Sequence, residues 1–357
     1  MRVLIILLFV VSFIFDKPEN TFTPRTISKV EIETVDKDSL LNIRAIDLTD
    51  DGILILAYSG IHSSIGYYEN DILHGREGAI TYYTELQDSK LEFRSIAKTK
   101  DYYFFLSVSS PAYLYRASLG EFSQLELVYQ ETHPKAFYDS MDFWNDQEGI
   151  AIGDPTDDCM SIIITRDGGE TWTKLSCDDL PKAKEGEAAF AASDTNISIV
   201  GDHTWVATGG KTSRILYSPD KGKTWDVFET PIVQGKETTG MYSIDFYDEN
   251  NGFAIGGDYT KPDDTLNNKI KTTDGGKTWQ VVANGKGPGY RSCVQYIPNS
   301  NAKELVAIGF KGIDYSNDSG ETWKHLSEEG FYTIRFLNDS VAYAAGKGRI
   351  SKLTFRE

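Results

Sequence analysis

Three arginines, Arg44, Arg94 and Arg291, stand in short apolar segments of one kind, Ile43 to Leu48, Phe93 to Ala97 and Arg291 to Tyr296. A guanidinium is planar and presents its donors in a fixed fork, so three of them brought together would hold a carboxylate or another anion by paired hydrogen bonds. Asp139, Asp154, Glu187, Asp258 and Tyr290 occupy loop positions of the same kind. They extend the candidate ligand-binding set, or the carboxylates instead neutralise the arginines in a structural network; residue types alone leave both readings open. For catalysis, Glu187 with Tyr242 or Tyr290 comes nearest to a base and a nucleophile. Retaining glycoside chemistry needs two activated groups at a close, defined separation, and nothing in the spacing specifies it. No catalytic residue is assigned.

Other chemistries find no pattern. His62, His74, His133, His203 and His325 lack metal-ligand spacing, and Asp157-Asp158 and Asp263-Asp264 lack the D-x-D-x-D-G calcium pattern, so no metal is expected. No glycine-rich nucleotide loop lies between a strand and a helix, and no cofactor is expected. A net charge of −17 argues against a nucleic-acid partner, which would want clustered Lys and Arg.

The elements that carry these residues announce themselves through a repeat. TRDGGETW (Thr165 to Trp172), SPDKGKTW (Ser218 to Trp225), TTDGGKTW (Thr272 to Trp279) and SNDSGETW (Ser316 to Trp323) all fit S/T-x-D-x-G-x-T-W, at intervals of about 44 to 54 residues. Asp167, Asp220, Asp274 and Asp318 can accept backbone N–H groups, and the following glycines supply the positive φ of a tight reversal. Trp172, Trp225, Trp279 and Trp323 then open a strand and bury an indole against a neighbouring sheet. These aspartates and tryptophans are read as structural. The pattern resembles the Asp-box, or BNR, repeat of sialidase-like propellers.

Seven apolar segments fit the innermost strands of seven blades: the three above with Asp139 to Phe143, Ala188 to Ala192, Tyr242 to Phe246 and Tyr332 to Leu337. Asn196 to Val200 is an alternative for the fourth. Most feed a second strand and then an Asp-box hairpin, while Tyr67 to Gly75 and Ala117 to Gln124 occupy that hairpin's place in blades one and two without the motif. The fold expected is an all-β, seven-bladed β-propeller of four-stranded antiparallel blades. The last blade lacks one strand, and an alternating N-terminal strand near Ile27 to Val35 is available to complete it and close the ring. Ligands of such rings bind at the axial mouth, on loops that enter the first strand or join the second and third.

Residues 1–24 read as a signal peptide and short leader, with an apolar run of about thirteen residues from Val3 to Phe15, too short for a stable membrane span. Residues 25–357 read as the single propeller. Export to the periplasm or the extracellular space is expected. Cys159 and Cys177 are equidistant from the middle of an Asp-box hairpin, and a cross-strand disulfide there would contribute on the order of 3 kcal/mol. Cys293 reads as a buried free thiol.

Longer segments, HPKAFYDSMDFWNDQEGIAIG (His133 to Gly153), EGEAAFAAS (Glu185 to Ser193), GFAIGGDYTKPD (Gly252 to Asp263) and GYRSCVQY (Gly289 to Tyr296), resemble exported bacterial propellers related to the photosystem II stability and assembly factor. The resemblance covers about residues 40 to 353 and implies a scaffold-like role. The early Arg-x-Pro segment of sialidases is missing, since Arg44 is followed by Ala45. The expectation is therefore a monomeric exported propeller that binds an envelope protein, an anionic small molecule or a glycan at its mouth, the alternative being a sialidase-like glycoside hydrolase at the same face.

Overall fold

The computed structural model describes residues 22–39, 42–49, 91–119 and 121–357, together with the strands 54–59, 64–69 and 79–83. The apolar leader run, the blade-one loop Gly60 to His62 and the hairpin tip 70–75 lie outside the described residues.

Seven antiparallel blades follow one another along the chain, six of four strands and the fifth extended to six by the short strands Glu187–Ala188 and Gly209–Gly210, and the described residues contain no helix. Their innermost strands are Asn42–Leu48, Phe93–Lys98, Tyr138–Phe143, Ile197–Val200, Thr239–Phe246, Cys293–Tyr296 and Thr333–Phe336. Each lies beside the next, and the last lies beside the first, so the ring is closed. Closure comes from the N-terminal strand Lys29–Asp36, which pairs with Arg349–Arg356 in the register Val30↔Phe355 and Ile32↔Leu353. The chain just before it is also fixed: Arg25 forms an ion pair with the fully buried Glu304 of blade six at 2.5 Å, and the Tyr315 hydroxyl donates to the Arg25 carbonyl. Blade four differs from one expectation. Its inner strand is Ile197–Val200, whereas Glu187–Ala188 pairs with Gly209–Gly210 outside that blade's sheet.

The core is divided into clusters that each join two neighbouring blades. Phe104 and Leu106 of blade two pack with Met141, Ala151 and Trp172 of blade three, and Ile43 and Ile46 of blade one pack with Tyr343 and Ile350 of blade seven. The Asp-box hairpins, between the third and fourth strands, serve this packing. Gly169 (φ 82°) and Gly320 (φ 83°) lie so close to Phe104 and Phe253 of the preceding blade that an added Cβ would come within 2.2 Å of either ring. Glycine is thus required there twice, for conformation and for contact. Phe104 and Phe253 are fully buried, worth about 1.5–3 kcal/mol each relative to exposure.

In each box the aspartate holds the turn. Asp274 Oδ1 accepts the Thr278 amide at 2.9 Å and the Thr272 hydroxyl at 2.8 Å, and Oδ2 accepts the Thr278 hydroxyl at 2.6 Å. Asp167, Asp220 and Asp318 repeat the arrangement. The indole N–H groups of Trp225, Trp279 and Trp323 donate to the carbonyl of their own box glycine. In blade three, a disulfide joins Cys159 to Cys177 across the base of the hairpin, with Cα atoms 5.4 Å apart.

Replacing Asp274 by Ala strands a backbone donor and two hydroxyls and should cost about 1–3 kcal/mol. Thermal denaturation should show a lower midpoint with ligand binding intact; an unchanged midpoint would refute the structural role.

Candidate axial binding site

Four inner strands carry a register irregularity at the same height, between Ile43 and Ala45, Phe93 and Ser95, Tyr138 and Ser140, and Met241 and Ser243. The residue left out of the ladder is Arg44, Arg94, Asp139 or Tyr242. A bulge re-aims one side chain out of the alternating pleat. That device delivers these four residues to one end of the axial channel.

The channel itself is blocked. After Glu187–Ala188 the chain does not enter blade four directly, and Ala189 to Asn196 instead crosses the axis and touches all six other blades. Asp194, at φ 58°, accepts the Ile96 amide of blade two at 2.9 Å and the Met141 amide of blade three at 3.4 Å, and its carbonyl accepts from Arg335 of blade seven at 3.0 Å. The Ser193 carbonyl accepts the Thr333 hydroxyl, and the Ser193 hydroxyl donates to the Ser292 carbonyl of blade six. Thr195 bonds Ser243 of blade five. Arg44 and Arg94 donate to the carbonyls of Ala192 and Ala191 at 3.3 and 2.9 Å. This plug separates two cavities.

The cavity at the bulged end measures about 430 Å³. Its walls are largely aromatic: Phe190, Tyr242, Tyr259, Tyr290, Phe310 and Tyr332 line it with Arg44 and Arg94. Phe190 of the plug stacks on Tyr242 at 3.9 Å. Arg44 lies 4.1 Å over the Tyr332 ring, and burial, then the neighbouring Arg94, lowers its pKa. Arg94 also pairs with Glu92 at 2.7 Å. Neither Nε has a partner among the described residues.

The other expected residues are distributed differently. Arg291 does not join the pair: it is 4% exposed and pairs with Asp314 of its own blade at 2.6 Å, so the three arginines do not converge. Of the carboxylates proposed as arginine partners, Glu187 is bound by Arg214 at 2.5 Å, by Thr208 and by the Lys184 amide, away from the cavity wall. Asp258 accepts the Thr260 amide and hydroxyl in a turn. Asp154 accepts the Ala189 amide at 2.8 Å, and burial pushes its carboxyl up to about 6. Asp139 is fully buried and held well above the usual carboxylate range by loss of solvent and then by Asp154. Tyr290 is on the cavity wall, where burial raises its hydroxyl. The Glu187 and Tyr242 or Tyr290 combination is not assembled, since Glu187 is locked elsewhere and the Tyr242 hydroxyl donates to the Thr238 carbonyl.

The plug, Phe190 and Phe310 have no counterpart in the sequence expectation. Their one trace is the double candidate for the first strand of blade four: two apolar segments compete because one is the plug.

On the other side of the plug a cavity of about 360 Å³ carries Asp47, Asp142 and Asp245 with Lys98 and Arg335, over a floor of Asp194. Burial pushes Asp142, Asp245 and Asp194 up to about 6, 7 and 8.

In the unfolded chain these carboxyls titrate near 3.9. Their retained protons favour the folded state fully below that value, and the benefit is lost as pH rises through the folded values. The melting temperature should fall between about pH 5 and pH 8, and Asp194→Asn should make that fall shallower. A wild-type midpoint that rises over the interval would contradict the assignment.

A family model for the BNR/Asp-box repeat matches residues 163–174. Comparison with curated protein sequences finds no match. Among solved structures, YCF48 from Cyanidioschyzon merolae superposes with a TM-score of 0.64 at 12% identity, covering 92% of this chain and 99% of that one. YCF48 bound to a D1 peptide gives 0.63 at 12%, covering 94% and 100%. This chain is a β-propeller. The GH74 xyloglucanase from Xanthomonas campestris gives 0.62 at 12% identity, covering 90% of this propeller but 53% of the xyloglucanase. At such identities the likeness is one of fold.

Proposed function

We propose that this propeller is an exported binding protein that engages an anionic group of its partner or ligand at the aromatic mouth, in a scaffold-like role. The observation that carries the reading is the pair Arg44 and Arg94, presented by bulges on adjacent blades into a cavity closed below by the plug. Each guanidinium is held by a plug carbonyl through Nη1, the Nε of both is buried, and Arg94 Nη2 donates to Glu92, which leaves Arg44 Nη2 without a partner among the described residues. A guanidinium fixed in place with a donor to spare, beside a second cation, is what anion recognition needs. That YCF48 has been seen with a D1 peptide supports partner binding by a propeller of this shape. The leader-like run and the disulfide support export, because disulfides persist in oxidising compartments. The alternative, glycoside hydrolysis, has less support, since its candidate base and nucleophile are not brought together.

Arg44→Lys and Arg94→Lys retain the charge and lose the fork, so either should weaken capture of a partner from an envelope extract by about tenfold, the worth of one charge-assisted hydrogen bond. Arg291→Lys should leave capture unchanged. Equal capture by all three variants would overturn the proposal, and turnover of chromogenic sialosides or glucosides would favour the hydrolase.

A further inference from the structure

We infer that the mouth takes a small aromatic carboxylate, a flat arene ring that carries a carboxylate. This rests on the reading of the mouth as an anion-binding cup and adds the chemistry of the rest of the ligand.

The donor inventory selects the anion. Arg44 is held on one side by the Ala192 carbonyl and beneath by the Tyr332 ring, which fixes the plane of its guanidinium. Its Nε is buried, so Nη2 is the donor left for an anion, a charge-assisted hydrogen bond to a carboxylate oxygen. Of the nearby acids, Asp139 is fully buried, Asp154 is turned to the Ala189 amide, and Glu92 is already spent on Arg94, which leaves Arg44 to meet the anion.

The wall selects the body. Apart from the two arginines, the polar side chains among the described lining residues are four tyrosines, and the hydroxyl of Tyr242 is spent on the Thr238 carbonyl. The described lining residues include no carboxylate, amide, imidazole, Ser or Thr. Against these described residues a pyranose, with hydroxyls around its ring, would leave most of them without a partner. A flat hydrocarbon ring loses nothing there. Tyr290 meets Tyr242 at 86° and 4.8 Å and Phe310 at 34° and 5.4 Å, so the wall offers both an edge and a face. At the lip, Tyr259 and Phe310 pack against Tyr290 yet remain 48% and 42% exposed.

Calorimetric titration of the full chain with cinnamate, cinnamamide and glucuronate tests the inference. Cinnamate should bind at least about tenfold more tightly than cinnamamide, which lacks the charge, and than glucuronate, which lacks the arene. Arg44→Lys should erase the preference over cinnamamide. Tyr259→Ala and Phe310→Ala alter side chains that are about half exposed at the lip, so the melting temperature should move little while cinnamate weakens about tenfold. Tighter binding of glucuronate, lost in Arg44→Lys, would overturn the arene and keep the anion cup. Absence of binding by all three probes would overturn the inference, and would take the cup with it if partner capture were also insensitive to Arg44→Lys.

Discussion

Seven inner strands arranged around an axis leave a hole, and the groups facing it must find partners or water. Here the hole is filled by the chain itself. Asp194 takes amides from blades two and three with its two carboxylate oxygens, and its carbonyl holds Arg335 of blade seven. Buried backbone donors are almost always paired, and one acidic side chain at the axis pairs two of them at once. The mouth depends on this arrangement, because the carbonyls that orient Arg44 and Arg94 and the ring that faces Tyr242 all belong to the same eight-residue segment. Inter-blade packing supplies most of the apolar burial, but the plug sets the geometry that a ligand would meet.

Two kinds of local irregularity cooperate at the site. The bulges shift Arg44, Arg94, Asp139 and Tyr242 out of the pleat toward the axis, and the plug then determines what each can do. Two arginines are anchored to plug carbonyls, one aspartate is buried and held toward its protonated form, and one tyrosine is stacked. The opposite cavity, on the far side of Asp194, collects carboxyls whose burial raises them together. The two mouths thus differ in chemistry although the same strands build both, since alternate ends of each strand carry different residues.

Much of the architecture was legible because its signals are local. An octapeptide that must turn, admit a neighbour's ring at its glycine and bury an indole leaves little freedom, so the blade hairpins, the strand order and the N-terminal completion of blade seven could be read from residue types. The mouth was only half legible. Arg44 and Arg94 sit in segments whose register defines them, but the fate of Arg291 depends on Asp314, a residue on a different strand whose inward orientation no local pattern reports. The plug was missed for a similar reason: Ala188 to Ala192 has the composition of an inner strand, and only competition with Ile197–Val200 for the same edge decides which segment is displaced to the axis.

The most direct test of the central claim, that Ala189 to Asn196 seals the channel as a fixed element, is amide hydrogen exchange of the native protein. The Ala189 amide, bonded to Asp154, and the amides of Ile96, Met141 and Ile244, bonded to Asp194 and Thr195, should exchange as slowly as the central strands of the blades. Exchange of these four at the rate of surface loops would show that the segment leaves the axis, and the account of the mouth would fall with it.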